Sequence, residues 1–488
     1  MKGTSMKKLN TGAMFAVLAF MPALAMAVVN SGSTGADGAF SPTVNTQVVL
    51  PPSGILNYTT VNIPTGVTVT FTRNATNTPV VILASGNVTI AGTVNLTGTD
   101  AKNTGAAGDG VLGDDGIPGL GAPGGYDGGQ GGVGTLVSST AAGGGSGQGP
   151  GGGKGGIKGC LYYSYSCGGG GGGGFATAGA NSWNNYAVGG VVYGSSQLLP
   201  LIGGSGGGGA AGYQYTGSGG GGGGGAILIA SSGTVSITGT INANGGYGGS
   251  DAGIGAGGAG GGGAGGAIRI VATTLSGNGA LNAVGQNPGS DSIGYGTAGA
   301  GGTGRIRLEA ETFQRTSGTN PAYTQGLPGP IFVAGLPTLL IASVAGTAVP
   351  AQPTGNADVT VPSTTANPVT VVFTTTGVPA GNTVKLTLKP AMGTEVTAVS
   401  PALVGDTTSA TASVSIALPD GPSTLMATVT YNIVLAMGDV LSVYAMGERV
   451  EKITLATILG SKESTVTLIT VSGKKYVVPA GVLAAMRA

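Results

Sequence analysis

The decapeptide Gly86-Asn-Val-Thr-Ile-Ala-Gly-Thr-Val-Asn95 returns without a gap as Gly233-Thr-Val-Ser-Ile-Thr-Gly-Thr-Ile-Asn242, at a constant offset of 147. A looser copy is Leu275-Ser-Gly-Asn-Gly-Ala-Leu-Asn282. Ala226-Ile-Leu-Ile229, Ala267-Ile-Arg-Ile270 and Gly304-Arg-Ile-Arg-Leu308 stand near the later copies. Such self-similarity marks a repeat architecture. Within each copy the period is two: Val235, Ile237 and Ile241 alternate with Ser and Thr, Ile268 and Ile270 flank Arg269, and Ile306 and Leu308 flank Arg307. Alternation sends apolar side chains to one face and polar ones to the other, which is strand geometry. Short alternating strands separated by glycine turns predict a parallel β-solenoid, in which each coil buries its inner face by stacking on the next. Residues 56–63 and 67–71 read as earlier coils of the same stack.

Residues 101–310 hold 77 of the 103 glycines. Within that region an insert, about 101–225, separates the matched copies and contains the runs 168–174 and 219–225. Glycine and proline at this level without a strict triplet are the composition of a disordered segment. The alternative is a set of extended helices with three residues per turn. These have no internal hydrogen bonds and must bond to neighbours, at a distance only glycine allows. Anchoring of both insert ends to adjacent coils favours this packed form. Collagen is excluded, because Gly110, Gly113, Gly116 and Gly119 keep a register that Gly121 breaks.

The stretches Thr34-Gly-Ala-Asp-Gly-Ala-Phe40, Asn57-Tyr-Thr-Thr-Val-Asn-Ile-Pro64 and Gly66-Val-Thr-Val-Thr-Phe71, with the Gly-run–Ala-Ile-Arg-Ile pattern, carry a resemblance. Residues 33–310 resemble Gly-rich exported surface proteins of Gram-negative bacteria. The insert is similar to the polyglycine-II sandwiches of phage tail-fibre adhesins. The resemblance implies fold and location, not an activity.

Charge and composition narrow the function. With no histidine, imidazole metal sites and imidazole acid–base chemistry are excluded. Only 8% of residues are charged, too few for electrostatic capture of nucleic acid. Lys2, Lys7 and Lys8, the apolar residues 13–20 and the ending Ala25-Met-Ala27 read as a signal peptide cut after residue 27. No later stretch has the length and apolarity of a membrane helix, so the mature chain is expected to carry no transmembrane span.

The expected organisation is therefore a signal peptide (1–27), a Gly-rich solenoid (28–337), an Ig-like β-sandwich (338–445) and a small β meander (446–488). The sandwich rests on β-rich runs at 339–344, 358–361, 369–375, 383–388, 410–418 and 425–434, separated by turn residues. The meander rests on 450–458, 465–471 and 475–478.

Two features of the insert are candidates for chemistry. Cys160 and Cys167 bracket Leu-Tyr-Tyr-Ser-Tyr-Ser; in an exported chain an isolated pair at this spacing reads as a loop-closing disulfide, and the redox Cys-x-x-Cys spacing is absent. Tyr162, Tyr163, Tyr165, Trp183, Tyr186, Tyr193, Tyr213 and Tyr215 crowd the same region, with Asn181, Asn184, Asn185 and Gln214 nearby. Aromatic faces beside amides suit sugar stacking or an adhesive contact. The same rings would equally serve as wedges between glycine layers.

Catalysis by paired carboxylates, as in glycoside hydrolysis, would have to draw on Asp109, Asp114, Asp115, Asp127, Asp251, Asp291, Glu309 and Glu311. Asp114 and Asp115 fall in a Gly/Pro loop, and Arg269, Arg307 and Glu309 read as a solvated outer-face ladder. Asp251 is displaced from a Gly-Gly-x-Gly-x-Asp calcium repeat. No catalytic residue, metal or cofactor is expected. The function expected is an exported, non-enzymatic surface protein with a structural or adhesive role, self-assembling or contacting other surface proteins or extracellular glycans. A carbohydrate-binding protein is the second expectation, and a polysaccharide-degrading β-helix enzyme the third.

Overall fold

The computed structural model describes residues 28–51, 53–103, 116–134, 142–157, 168–212, 216–251, 257–290, 297–332, 335–350, 359–391, 394–459, 464–478 and 480–487. The expected signal peptide, Cys160 and Cys167, and Tyr162, Tyr163, Tyr165, Tyr213 and Tyr215 lie outside these residues.

The protein is mostly β. Its amino-terminal half contains β1 (Ala39–Phe40), β2 (Thr46–Val49), β3 (Ile55–Tyr58), β4 (Thr60–Ile63), β5 (Thr68–Thr72), β6 (Val80–Ala84), β7 (Val88–Ile90) and β8 (Thr93–Asn95). After the insert follow β9 (Ala226–Ile237), β10 (Thr240–Asn242), β11 (Ala267–Ser276), β12 (Ala280–Asn282), β13 (Arg305–Phe313) and β14 (Thr324–Gly326). All of them pair in parallel. One sheet runs β1-β4-β7-β9-β11-β13-β14, with β3 and β6 joining through β9; the other runs β12-β10-β8-β5-β2. From β4/β5 onward to β11/β12 the chain passes alternately through the two sheets, with β6 and β7 both entering the first before β8 enters the second. The register follows the sequence repeat, since Val88 faces Val235 and Val94 faces Ile241 across the insert. The inward side chains of both sheets make one core that includes Val69, Ile90, Val94, Ile237, Ile268 and Leu308.

The glycine runs between the strands pack against one another in a three-residue cycle. In the central run, Gly220 and Gly223 donate their N–H groups to Gly129 and Tyr126 at 2.9 and 2.8 Å. Gly221 and Gly224 donate to Gly261 and Ala264, both at 2.9 Å, and Gly222 and Gly225 to Thr99 and Leu96 at 3.1 and 2.9 Å. The carbonyls repeat the cycle toward three further segments. Gly220 and Gly223 accept from Gly119 and Ala122, Gly221 and Gly224 from Gly207 and Gly204, and Gly222 and Gly219 from Gly246 and Gly249. One segment is thus bonded to six neighbours, and the N–H groups of residues 220–225 and the carbonyls of residues 219–225 all find partners, as burial demands. Spacing this tight leaves no room for a side chain: a Cβ on Gly223 would stand 1.9 Å from the carbonyl oxygen of Gly204.

The carboxy-terminal half is antiparallel. One sheet has the order β16-β15-β17-β21-β20, from β15 (Thr338–Val344), β16 (Thr347–Ala348), β17 (Val369–Thr376), β20 (Val404–Gly405) and β21 (Ala410–Ile416). The other has the order β19-β18-β22-β23-β24-β25, from β18 (Thr383–Pro390), β19 (Val396–Ala402), β22 (Ser423–Asn432), β23 (Val450–Ile458), β24 (Thr465–Thr470) and β25 (Lys475–Val478). The one α-helix among the described residues, α1 (Leu435–Leu441), links β22 to β23.

Three details differ from the sequence reading. Residues 359–361 are not a strand. β19 is an unforeseen edge strand whose Val396 and Val399 face solvent, which masks the apolar alternation of a half-buried strand. The strands of 446–488 do not form a sheet of their own but pair through β23 onto β22, from Met426↔Ile458 to Asn432↔Lys452.

The two halves share a core. Phe175, Tyr193, Leu198 and Ile202 of the glycine region belong to the same buried cluster as Phe373, Leu386, Val429 and Leu468.

Candidate functional site

The expected aromatic surface divides into an exposed part and a buried part. Between two glycine segments the chain turns at residues 182–187. Ser182 closes the turn: its N–H donates to the Ala187 carbonyl at 2.9 Å, and its Oγ accepts the Ala187 N–H at 2.7 Å. Asn184 and Asn185 sit at φ of 51° and 57°, a conformation that asparagine tolerates better than most residues. The Asn181 amide donates to Asn185 Oδ1 and its Oδ1 accepts the Gly189 N–H, each at 2.8 Å. This frame holds Trp183, 39% exposed, against Tyr186 with ring centroids 6.0 Å apart and planes tilted by 52°.

Beside the turn, the adjacent segments 154–157 and 186–188 are tied by Lys154 N–H to Val188 O at 2.9 Å and Ile157 N–H to Tyr186 O at 3.2 Å. Ile157, Val188, Val191 and Val192 are each more than half exposed. With Trp183 they leave a set of exposed apolar side chains on this backbone-bonded part of the glycine region. The valines escaped a reading keyed to period two, although the three-residue step from Val188 to Val191 is the period of the packed glycine segments.

Tyr193 does not belong to this surface. It is 5% exposed, and its ring lies 4.8 Å from that of Phe175. Its hydroxyl donates to Gly203 O at 2.5 Å and accepts from Ser205 Oγ at 3.0 Å. Arg305 sits 5.5 Å from the centre of the Phe175 ring and donates to the Tyr193 carbonyl at 3.0 Å. Burial, reinforced by Tyr126, pushes the Tyr193 hydroxyl well above its usual pKa, so it stays a neutral donor. Tyr193 therefore wedges the glycine segments against the carboxy-terminal half.

Two of the candidate carboxylates, Asp127 and Glu309, are engaged in ion pairs. Asp127 pairs with Arg73, Nη2 to Oδ2 at 3.1 Å, and accepts the Gly121 N–H at 2.8 Å. Arg269, Arg307 and Glu309 do form the expected ladder on the outer face of the first sheet, with Arg269 opposite Arg307 and Val271 opposite Glu309. They are not solvated, however: Arg269 and Glu309 are each 1% exposed beneath residues 329–331. Glu309 receives Nε and Nη2 of Arg269, both at 3.1 Å, Nε of Arg307 at 3.2 Å and the Gly329 N–H at 2.7 Å. Desolvation pushes the Glu309 carboxyl up, but the hydrogen bonds and charge of Arg269, then Gly329 and Arg307, outweigh it and hold the pKa below its ordinary value. Such satisfaction is what makes a buried ion pair tolerable. The sequence offered no sign of the covering strap.

Asp109, Asp114, Asp115 and Asp291 lie outside the described residues. Among the described residues no group of three His, Cys, Asp or Glu side chains is placed to hold a metal, and no helix is long and apolar enough to cross a membrane. Comparison with known family models, with curated proteins and with solved structures gives no match.

Proposed function

We propose that the chain is an exported, non-enzymatic cell-surface protein with a structural or adhesive role. In this reading the parallel half is a β-solenoid, the glycine segments are a polyglycine-II-like bundle, and the antiparallel half is an Ig-like sandwich acting as spacer or docking module. The observation that carries the proposal is the set of exposed apolar side chains of Trp183, Ile157, Val188, Val191 and Val192, held on backbone bonded to its neighbours. Exposed apolar side chains gathered in one region are a feature that soluble monomers keep small unless it makes contacts. A preorganised backbone also loses little entropy on binding. The partner is a second copy, another surface protein or an extracellular glycan.

Electron microscopy of negatively stained protein from culture supernatant and from sheared cells tests assembly. Regular fibres or sheets support a self-assembling role, and discrete monomers at all concentrations refute it.

A carbohydrate-binding role is the second reading, favoured by the exposed Trp183 ring in a turn that also carries Asn181, Asn184 and Asn185. A glycan array with Trp183→Ala decides it: signal lost in the variant supports sugar binding, and signal absent or unchanged counts against it.

A further inference from the structure

Between the two halves lies an open cavity of about 620 Å³, within the size range of sites for small organic ligands. One wall comes from the outer face of the parallel half and its cover, including Val81, Leu228 and Ile331. The opposite wall comes from the six-stranded sheet, including Met426, Ile458 and Val478. Threonine and serine hydroxyls punctuate an otherwise apolar lining, and among the described residues its one charged side chain is Arg269.

Arg269 brings a donor without an acceptor to this space. Two guanidinium groups, Arg269 and Arg307, share the single carboxylate of Glu309, the only acid paired with either among the described residues. Arg269 and Glu309 are buried, while Arg307, partly exposed, carries the excess positive charge of the trio at its solvent edge. A guanidinium has five N–H donors. Arg269 gives Nε and one Nη2 hydrogen to Glu309, the other Nη2 hydrogen to Pro330 O at 2.8 Å, and one Nη1 hydrogen to Ile331 O at 3.2 Å. One Nη1 hydrogen remains. A spare guanidinium donor in an apolar surround is costly and is best satisfied by an anionic acceptor.

We propose that this cavity binds a single-chain amphiphile with a carboxylate head, the head on Nη1 of Arg269 and the apolar tail between Leu228, Ile331 and Met426. Because both halves line it, the ligand clamps one to the other and stabilises the joined form by mass action.

The test uses full-length protein, titrated calorimetrically at pH 8 with dodecanoate and with dodecanol. One dodecanoate binds per chain, and dodecanol binds about tenfold or more weakly, the difference that a charge-assisted hydrogen bond supplies. Arg269→Met would strand the buried Glu309, so the site is tested by Ala456→Phe, which fills the cavity from a lining position. That variant keeps the wild-type circular dichroism and loses about tenfold or more in dodecanoate affinity. Equal affinity for acid and alcohol would overturn the assignment of the head group. Absence of binding, or undiminished binding to Ala456→Phe, would overturn the cavity as the site.

Discussion

Replacing Gly221 with alanine tests whether the glycine segments are truly packed backbone to backbone. A methyl group there would lie 2.1 Å from the carbonyl oxygen of Gly246 and 2.7 Å from its carbon. An ordinary carbon–oxygen contact needs about 3.3 Å, so the 245–249 segment must retreat by about 1 Å. No side chain can move instead, because the obstacle is backbone. Two bonds lie in the path of that retreat: Gly246 N–H to Gly222 O at 2.7 Å and Gly263 N–H to Gly246 O at 2.9 Å. Stretched by about 1 Å, both exceed hydrogen-bond length. Groups left unsatisfied cost about 1–3 kcal/mol each, and overpacking adds about 1–3 kcal/mol. Gly221→Ala is therefore expected to lose about 3 kcal/mol or more. Urea unfolding followed by the fluorescence of Trp183, the chain's one tryptophan, reports on this region directly. Gly318→Ala is the control, since its added Cβ meets nothing within 4 Å, and should stay within about 0.5 kcal/mol of wild type. If Gly221→Ala were equally neutral, the close-packed arrangement would be refuted.

Three further outcomes follow from the same geometry. Tyr193→Phe removes the buried donor to Gly203 O and should cost about 1–3 kcal/mol in urea unfolding, while leaving any glycan-array signal from Trp183 unchanged. The Glu309 carboxyl has a folded pKa below its ordinary value, so its contribution is fully present above about pH 4.3 and fades as pH falls through the folded value. Glu309→Gln should remove this acid-side slope from a series of unfolding midpoints; an unaltered slope would exclude Glu309 as its source. Arg315, 6% exposed, donates to the carbonyls of Ser317, Gly277, Gly279 and Gly318. Arg315→Ala should therefore speed hydrogen exchange in β12 and β13 relative to β7, which a uniform effect across the chain would contradict.

The parallel pairing was legible because the matched decapeptides alternate with period two, and the offset between them is the cross-strand register, Val94 to Ile241. The glycine region was half legible. Composition pointed equally to disorder, and only the anchoring of its ends argued for packing, because a run such as 219–225 has no side chains whose pattern could betray its neighbours. The buried ladder was legible in position but not in environment: alternation places Arg269, Arg307 and Glu309 on the outer face, yet the strap at 329–331 that covers them carries no repeat and no periodicity. Tyr193 failed for a related reason. Its sequence neighbours Val191 and Val192 are exposed, and its burial depends on Phe175, Ser205 and Arg305 arriving from distant segments. The join of β23 to β22 was hidden by α1, which interrupts the strand pattern where the sheet continues.

The three-way bonding of the glycine run bears on how the protein would tear. A β-sheet resists force along its ladder bonds and along its backbone, but its faces part wherever side-chain packing yields. In the run at 219–225, donors and acceptors fan out around the axis, so no transverse direction is left to side chains alone. A crack that opens one row of bonds meets the next row at an angle and must break it afresh. Material of this kind is tough across its section at the thickness of a bare backbone, a useful property for a part that must be thin and still bear sideways load.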